Sequence, residues 1–245
     1  MNFLSLFKRN LIYKFKNKIS IDNDLFDDKT LDFLFNYYGS DKANKFNQNA
    51  GHGFSRFYVK HFEPLRDKEI KILEIGSYAG ASAAAFSKYF PRSKIFCFDV
   101  NISNFKFTSK YINVYGLDIK NQKKIKKILT NIFKKYSFDK FDIIIDDGSH
   151  FLSDILSSLS ILFTYLKQNG TYVIEDYKHP NYYEYNKDTE DILIDDLILK
   201  LKNKTHFDSN YLNHDIQTLL INSIEKIDVY EGNLQDSDIC FIKKK

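Results

Sequence analysis

The chain has 245 residues, 43% of them hydrophobic, which supports one α/β domain with a decorating segment or two small domains. Its 36 Lys and Arg against 32 Asp and Glu leave a net charge of +4, too slight to mark a nucleic-acid binder, and no apolar run reaches the length of a transmembrane segment. Two cysteines, Cys97 and Cys240, both inside apolar runs, exclude a disulfide framework and fit reduced thiols of a cytoplasmic protein.

Residues 1–19 carry apolar side chains at Phe3, Leu4, Phe7, Leu11, Ile12 and Phe15. That spacing predicts an amphipathic helix with lysines on its other face. Charges interrupt the apolar residues at Lys8, so no signal peptide is expected. Such a helix packs on its own domain or on a second copy, giving a homo-oligomer, or lies on an anionic membrane surface. Residues 22–28 read as an acidic linker, and a helix over 29–38 ends at Gly39. The following loop gathers Ser40, Asp41, Lys42 and His52, either to cover a site or as a plain surface connection. A helix with an aromatic face is expected over 55–62.

Strands and helices then alternate. Strands are expected over 70–75, 94–100, 112–115, 141–145 and 171–174. Helices are expected over 81–89, 120–136 and 151–166, the last stopped near Gly170. This alternation implies βαβ units and a largely parallel sheet. Residues 177–186 form a tyrosine-rich loop and 192–201 a helix, while 203–222 show no clear element. Residues 224–230 and 238–243 read as two closing strands.

The first strand runs into Glu74-Ile75-Gly76-Ser77-Tyr78-Ala79-Gly80, an E-x-G-x-x-x-G loop whose glycines allow close approach to a ligand. Tyr78 stands where a dinucleotide fingerprint needs glycine, which disfavours NAD. Asp99 ends the second strand, followed by Val100, and is placed to accept hydrogen bonds from two ribose hydroxyls. Asp118, followed by Ile119, ends the third strand region and is placed to meet an adenine amino group. The fourth strand opens into Asp146-Asp147-Gly148-Ser149-His150. Ligands bind beyond the carboxyl ends of such strands, although Asp-Gly is also ordinary turn chemistry.

In order along the chain, LEIGSYAG (73–80), FCFDV (96–100), GLDI (116–119) and the fourth strand resemble the class I S-adenosylmethionine-dependent methyltransferases. The resemblance covers about residues 66–245. It implies a Rossmann-like, seven-stranded, mostly parallel sheet of order 3-2-1-4-5-7-6 with helices on both faces. The expected division is a helical extension with a covering loop over 1–65 and a methyltransferase domain over 66–245. The cofactor-binding residues it implies are Glu74, Gly76, Ser77, Tyr78, Gly80, Asp99, Val100, Asp118, Ile119 and Asp146.

DDGSH (146–150), GTYVIEDY (170–177), YGSDK (38–42) and His52 are similar to the metal-dependent, macrolide-type sugar O-methyltransferases and related enzymes termed cephalosporin hydroxylases. This resemblance implies Mg²⁺ or Mn²⁺ at Asp147, Glu175 and Asp176, with His150 as general base. Three carboxylates make a hard oxygen site, and an imidazole accepts protons near neutral pH. The implied reaction transfers methyl to a sugar hydroxyl, in a free or nucleotide-linked sugar destined for a surface glycan. Lys178, His179, Tyr182 and Tyr183 are the expected acceptor contacts. Two alternatives stand beside this reading: methylation of a small phenol or other natural product, and a non-catalytic adenosyl-binding subunit.

Overall fold

The computed structural model describes residues 3–26, 28–178 and 189–245. Seven strands make the main sheet: β1 (Lys71–Ile75), β2 (Lys94–Asp99), β3 (Ile112–Gly116), β4 (Phe141–Asp146), β5 (Leu166–Glu175), β6 (Ile224–Glu231) and β7 (Asp238–Lys244). Their order is β3-β2-β1-β4-β5-β7-β6, as the resemblance to class I methyltransferases implied. β2 is parallel to β1 and β3, and β5 is parallel to β4. β7 runs antiparallel to both β5 and β6. The chain divides into two compact units, Met1–Asp118 with Gly232–Gln235, and Ile119–Glu231 with Asp236–Lys245.

In the first unit, β1 and β2 are nearly continuous apolar runs because parallel strands are covered on both faces. Ile72, Leu73, Ile95, Phe96 and Cys97 are wholly buried. The helices of this unit are α1 (Phe3–Phe15), α2 (Leu31–Tyr38), α3 (Ser55–Phe62) and α4 (Ala81–Tyr89). Ala83, Ala84 and Ala85 are also wholly buried, which lets α2 lie close across α4. There Phe35 meets Phe86 edge-on at 5.2 Å, and Tyr58 of α3 meets the same ring at 5.2 Å. Thr30 caps α2, its hydroxyl accepting from Phe33 N at 3.2 Å, and Gly39 ends it with φ +80°.

The polar loop after Gly39 is folded around Asp32. One carboxylate oxygen accepts from Asn44 N at 2.8 Å and from the Ser55 hydroxyl at 2.7 Å. Lys42 within it is only 2% exposed, so this stretch is a compact structure in its own right. The acidic stretch before α2 is also fixed. Asp22 accepts from the Ser109 hydroxyl at 2.6 Å and Asp24 from the Tyr38 hydroxyl at 2.8 Å.

The second unit holds α5 (Gln122–Tyr136), α6 (Leu152–Leu162), α7 (Ile194–Lys202) and α8 (His214–Ser223). α5 buries Ile125, Leu129 and Ile132, one stripe of an otherwise basic helix. Two expectations need correction here. α6 stops at Leu162, not near Gly170, and after a single 3₁₀ turn β5 begins at Leu166. Gly170 lies inside β5, where the pairing with β4 slips between Phe141 and Ile143. A Cβ there would lie 3.0 Å from the Asp142 carbonyl oxygen, so this glycine serves a bulge instead of a helix end. The stretch without a clear reading contains α8, whose start is fixed by Asn213 accepting from Ile216 N at 3.0 Å. Both cysteines are free and buried. No helix among the described residues is long and apolar enough to cross a membrane.

Gly80, at the N-terminus of α4, has φ +80°, and a Cβ on it would lie 2.4 Å from Cζ of Phe105. Conformation and packing both oppose a side chain there. Gly80→Ala is expected to lower unfolding free energy in urea by about 1–3 kcal/mol, with partial recovery in Gly80→Ala/Phe105→Leu. An unchanged midpoint for the single variant would contradict this.

Candidate active site

The loop after β1 is wound tightly by its backbone. Gly76, Tyr78 and Gly80 have φ of +82°, +40° and +80°. Gly76 N donates to Phe98 O at 2.8 Å, and Gly80 N to Ser77 O at 2.7 Å. Ser77 is buried and Glu74 wholly so, while Tyr78 is 67% exposed. Asp99 fastens this loop to the end of β2. Its Oδ2 accepts from Tyr78 N at 2.7 Å, and its Oδ1 from Asn101 N at 2.5 Å. Leu117 N donates to the Asp99 carbonyl oxygen at 2.9 Å, which fixes the chain just before Asp118. A carboxylate has about four lone-pair positions, so Asp99 retains capacity for a ribose diol. The Val100 carbonyl accepts from the Arg9 guanidinium at 3.3 Å, and Ile119 is buried. Loop and acid thus fit an adenosyl ligand, although Gly80 has a packing reason of its own.

Beyond β4 and β5 a second group forms. Asp147, His150 and Asp176 each offer a ligand atom, and these atoms lie within 4.8 Å of one another. His150 Nε2 stands 3.8 Å from Asp147 Oδ1, both side chains partly exposed. His150 and Asp176 have φ of +55° and +50°. Left-handed backbone costs a non-glycine residue on the order of 1–2 kcal/mol, and such strain gathers at functional positions. The turn is fastened to the start of α6. Ser149 donates to Asp154 Oδ2 at 2.5 Å and accepts from Phe151 N at 3.3 Å, while Lys120 pairs with Asp154 at 3.1 Å. The two carboxylates suit a hard divalent cation such as Mg²⁺ or Mn²⁺, and the imidazole beside them is of the kind that accepts a proton near neutral pH.

Glu175 stands outside this group. It is the last residue of β5, 1% exposed, opposite Ile239 of β7. Successive strand residues face opposite ways, and the turn at Asp176 brings only the second acid to the cluster.

Asp146 is 4% exposed. The Ser158 hydroxyl of α6 donates to its Oδ2. The Tyr172 hydroxyl of β5 lies 3.3 Å from that oxygen and 3.2 Å from Ser158 Oγ. Burial pushes the Asp146 carboxyl up to about 6, against the lowering effects of Ser158, His150 and Tyr172. Ser158 and Tyr172 were not singled out from sequence. The one available signal was a serine inside the apolar stripe Ile155, Leu159, Leu162 of α6.

Lys178, an expected acceptor contact, pairs with the buried Asp238 at 3.1 Å. His179, Tyr182 and Tyr183 lie outside the described residues.

Strand order, antiparallel β7, the glycine loop after β1 and the acid ending β2 define the class I S-adenosylmethionine-dependent methyltransferase fold. The MycE methyltransferase of the mycinamycin pathway, solved with Mg and SAH, superposes with a TM-score of 0.65 over 88% of this chain and 55% of its own, at 22% identity. In sequence the chain is similar to sugar O-methyltransferases. It is 30% identical over 132 residues to mycinamicin VI 2''-O-methyltransferase of Micromonospora griseorubida, covering 51% of this chain and 31% of that one. It is 33% identical over 153 residues to L-olivosyl-oleandolide 3-O-methyltransferase of Streptomyces antibioticus, covering 60% and 36%. The chain therefore spans about a third of the length of these curated relatives. No family model matches.

Two predictions follow from this geometry. Titration calorimetry with Mn²⁺ is expected to show binding that Asp147→Asn or Asp176→Asn abolishes and Glu175→Gln retains; loss in Glu175→Gln would restore that residue as a ligand. The second concerns pH. Asp146 binds its proton more tightly in the folded state, so its contribution to stability is complete below about pH 3.8 and declines as pH rises to about 6. With chelator present, wild type is expected to lose up to about 3 kcal/mol more than Asp146→Asn across that interval in urea melts. Parallel pH profiles would contradict this.

Proposed function

We propose that this chain is an O-methyltransferase that moves the methyl group of S-adenosylmethionine to a sugar hydroxyl with the help of a divalent metal. The observation that carries the reading is the convergence of Asp147, His150 and Asp176 in a chain with this fold. Its similarity to sugar O-methyltransferases supports the acceptor class.

When bound, S-adenosylmethionine supplies the methyl group as an electrophile on sulfur, so the protein need only bind, align and activate. Asp99 accepts the ribose hydroxyls while holding Tyr78 N. The left-handed loop at Gly76–Gly80 bends the backbone toward the ligand, with Glu74 and Ser77 beneath it. Val100, Asp118 and Ile119 border the base. Asp147 and Asp176 would hold Mg²⁺ or Mn²⁺, which would supply Lewis acidity toward the acceptor hydroxyl. A sugar hydroxyl keeps its proton well above neutral pH, so a base is still needed. His150 takes that proton, and the Asp147 carboxylate, 3.8 Å away, stabilises the imidazolium that forms. Asp146 holds the end of β4 in place for its neighbours through Ser158 and Tyr172.

The acceptor we assign is an uncharged glycoside in preference to a nucleotide-linked sugar. Of the expected acceptor contacts, Lys178 is the one whose charge suits a phosphate, and its ammonium is engaged by Asp238, with Asp195 and Glu231 adding negative charge around it. His179, Tyr182 and Tyr183 remain assigned to acceptor binding on their chemistry alone.

Calorimetry is expected to show S-adenosylhomocysteine binding that Asp99→Ala weakens by at least about tenfold, the loss of charge-assisted hydrogen bonds. With a panel of glycosides and nucleotide sugars read by mass, His150→Ala is expected to lower turnover about 10²–10⁴-fold and keep cofactor affinity. A fully active His150→Ala enzyme would make the imidazole structural. Transfer only to nucleotide sugars would overturn the acceptor assignment.

A further inference from the structure

α1 is an amphipathic helix mounted with its polar side inward. Arg9 donates to the Val100 carbonyl at 3.3 Å. The Asn10 side chain approaches Gly116 so closely that a Cβ there would lie 2.4 Å from Oδ1. The Tyr13 ring meets Phe105 edge-on at 6.4 Å. Lys16 donates to the carbonyls of Ser103 at 2.8 Å and Asn104 at 3.3 Å. These four residues fasten the helix to the chain beyond β2 and to the end of β3.

The opposite side carries Phe7, Leu11 and Phe15, exposed by 58%, 46% and 75%, with Ile12 beside them at 45%. At 100° per residue, Phe7, Leu11 and Phe15 fall within roughly 80° of one another, and Leu4 falls in the same arc. Lys14 lies at one border of this arc and Lys8 at the other, both exposed. Lys14 Nζ stands 5.9 Å from the Phe15 ring centre. The first twenty residues contain five basic side chains and no acid. A row of large apolar residues facing solvent is unusual for a surface helix, whose apolar stripe normally faces the core.

We propose that this face of α1 is a peripheral docking surface for an anionic lipid bilayer. An apolar ridge with phenylalanines, bordered on both sides by lysines, matches the division between acyl chains and charged headgroups. The charge pattern selects this occupant over a second copy of the chain. A two-fold pairing of ridges would bring Lys8 and Lys14 of each copy toward the same cations of the other, with no acid on the helix to compensate. At 13 residues the helix is about 20 Å long, so it lies in the headgroup plane.

The test is co-sedimentation of the full chain with vesicles of pure phosphatidylcholine and of phosphatidylcholine mixed with phosphatidylglycerol. Binding is expected to the mixed vesicles only and to weaken as salt rises. Lys8→Gln/Lys14→Gln is expected to reduce it about thirtyfold, and Phe7→Ser/Phe15→Ser to bring it to background. The lysine pair makes none of the contacts that fasten the helix, so it tests the idea even if the phenylalanine variant unfolds; circular dichroism reports folding in both. Absence of sedimentation with the mixed vesicles at low salt would overturn the proposal. So would equal binding to both vesicles with no effect of the lysine variant. A dimer in sedimentation velocity that disappears in Phe7→Ser/Phe15→Ser, without vesicle binding, would make the ridge an interface between copies.

Discussion

The carboxylate of Asp146 is the constraint on which the end of β4 depends. A buried carboxylate is costly unless hydrogen-bonded, and here Ser158 from α6 and Tyr172 from β5 supply the partners. Those bonds join strand, neighbouring strand and crossover helix at one point. The next residue, Asp147, therefore leaves the strand in a fixed direction, and the turn to His150 is fastened again through Ser149 and Asp154. The left-handed conformation at His150 persists because its surroundings determine it at both ends. Asp146 thus fixes the strand end for its neighbours, Asp147 and His150, which carry the partly exposed groups.

A second carboxylate plays a comparable part in the first unit. Asp99 accepts from the backbone of the β1 loop with one oxygen and from Asn101 with the other. It orders the loop before any ligand arrives, so less conformational entropy is lost on binding. The glycines of that loop have mixed reasons. Gly76 provides the left-handed turn into the loop, whereas Gly80 is required at least as much by the Phe105 ring against it. A glycine motif read as a ligand cradle is in part a packing motif.

The polar loop between α2 and α3 closes on Asp32, and Lys42 is buried. Polar residues in a loop report hydrogen-bonding capacity, and only the fold decides whether it is spent inside the protein. The same holds for Lys178, whose charge is directed to Asp238, a residue 60 positions away in sequence.

Much of this protein was legible in its sequence. Strand and helix alternation predicted a largely parallel sheet, because parallel strands need crossover helices and buried strands need apolar runs, while the strand order came from the resemblance to class I methyltransferases. The resemblance of DDGSH and GTYVIEDY to the metal-dependent sugar O-methyltransferases placed Asp147, Glu175, Asp176 and His150 in one hypothesis, and the position of these motifs at carboxyl ends of strands agreed with it. Local signals were blind to what depends on three-dimensional placement. Gly170 has the same identity as a helix stop or as a bulge, and only pairing with β4 separates the two. Glu175 and Asp176 are adjacent acids, and strand alternation plus one left-handed residue sends them to different surroundings. Ser158 and Tyr172 could not be joined to Asp146 before β5 and α6 were packed around it. Sequence determined which chemical groups arrive at the strand ends; tertiary structure decided which face outward together, because burial and backbone conformation select among neighbours that sequence lists side by side.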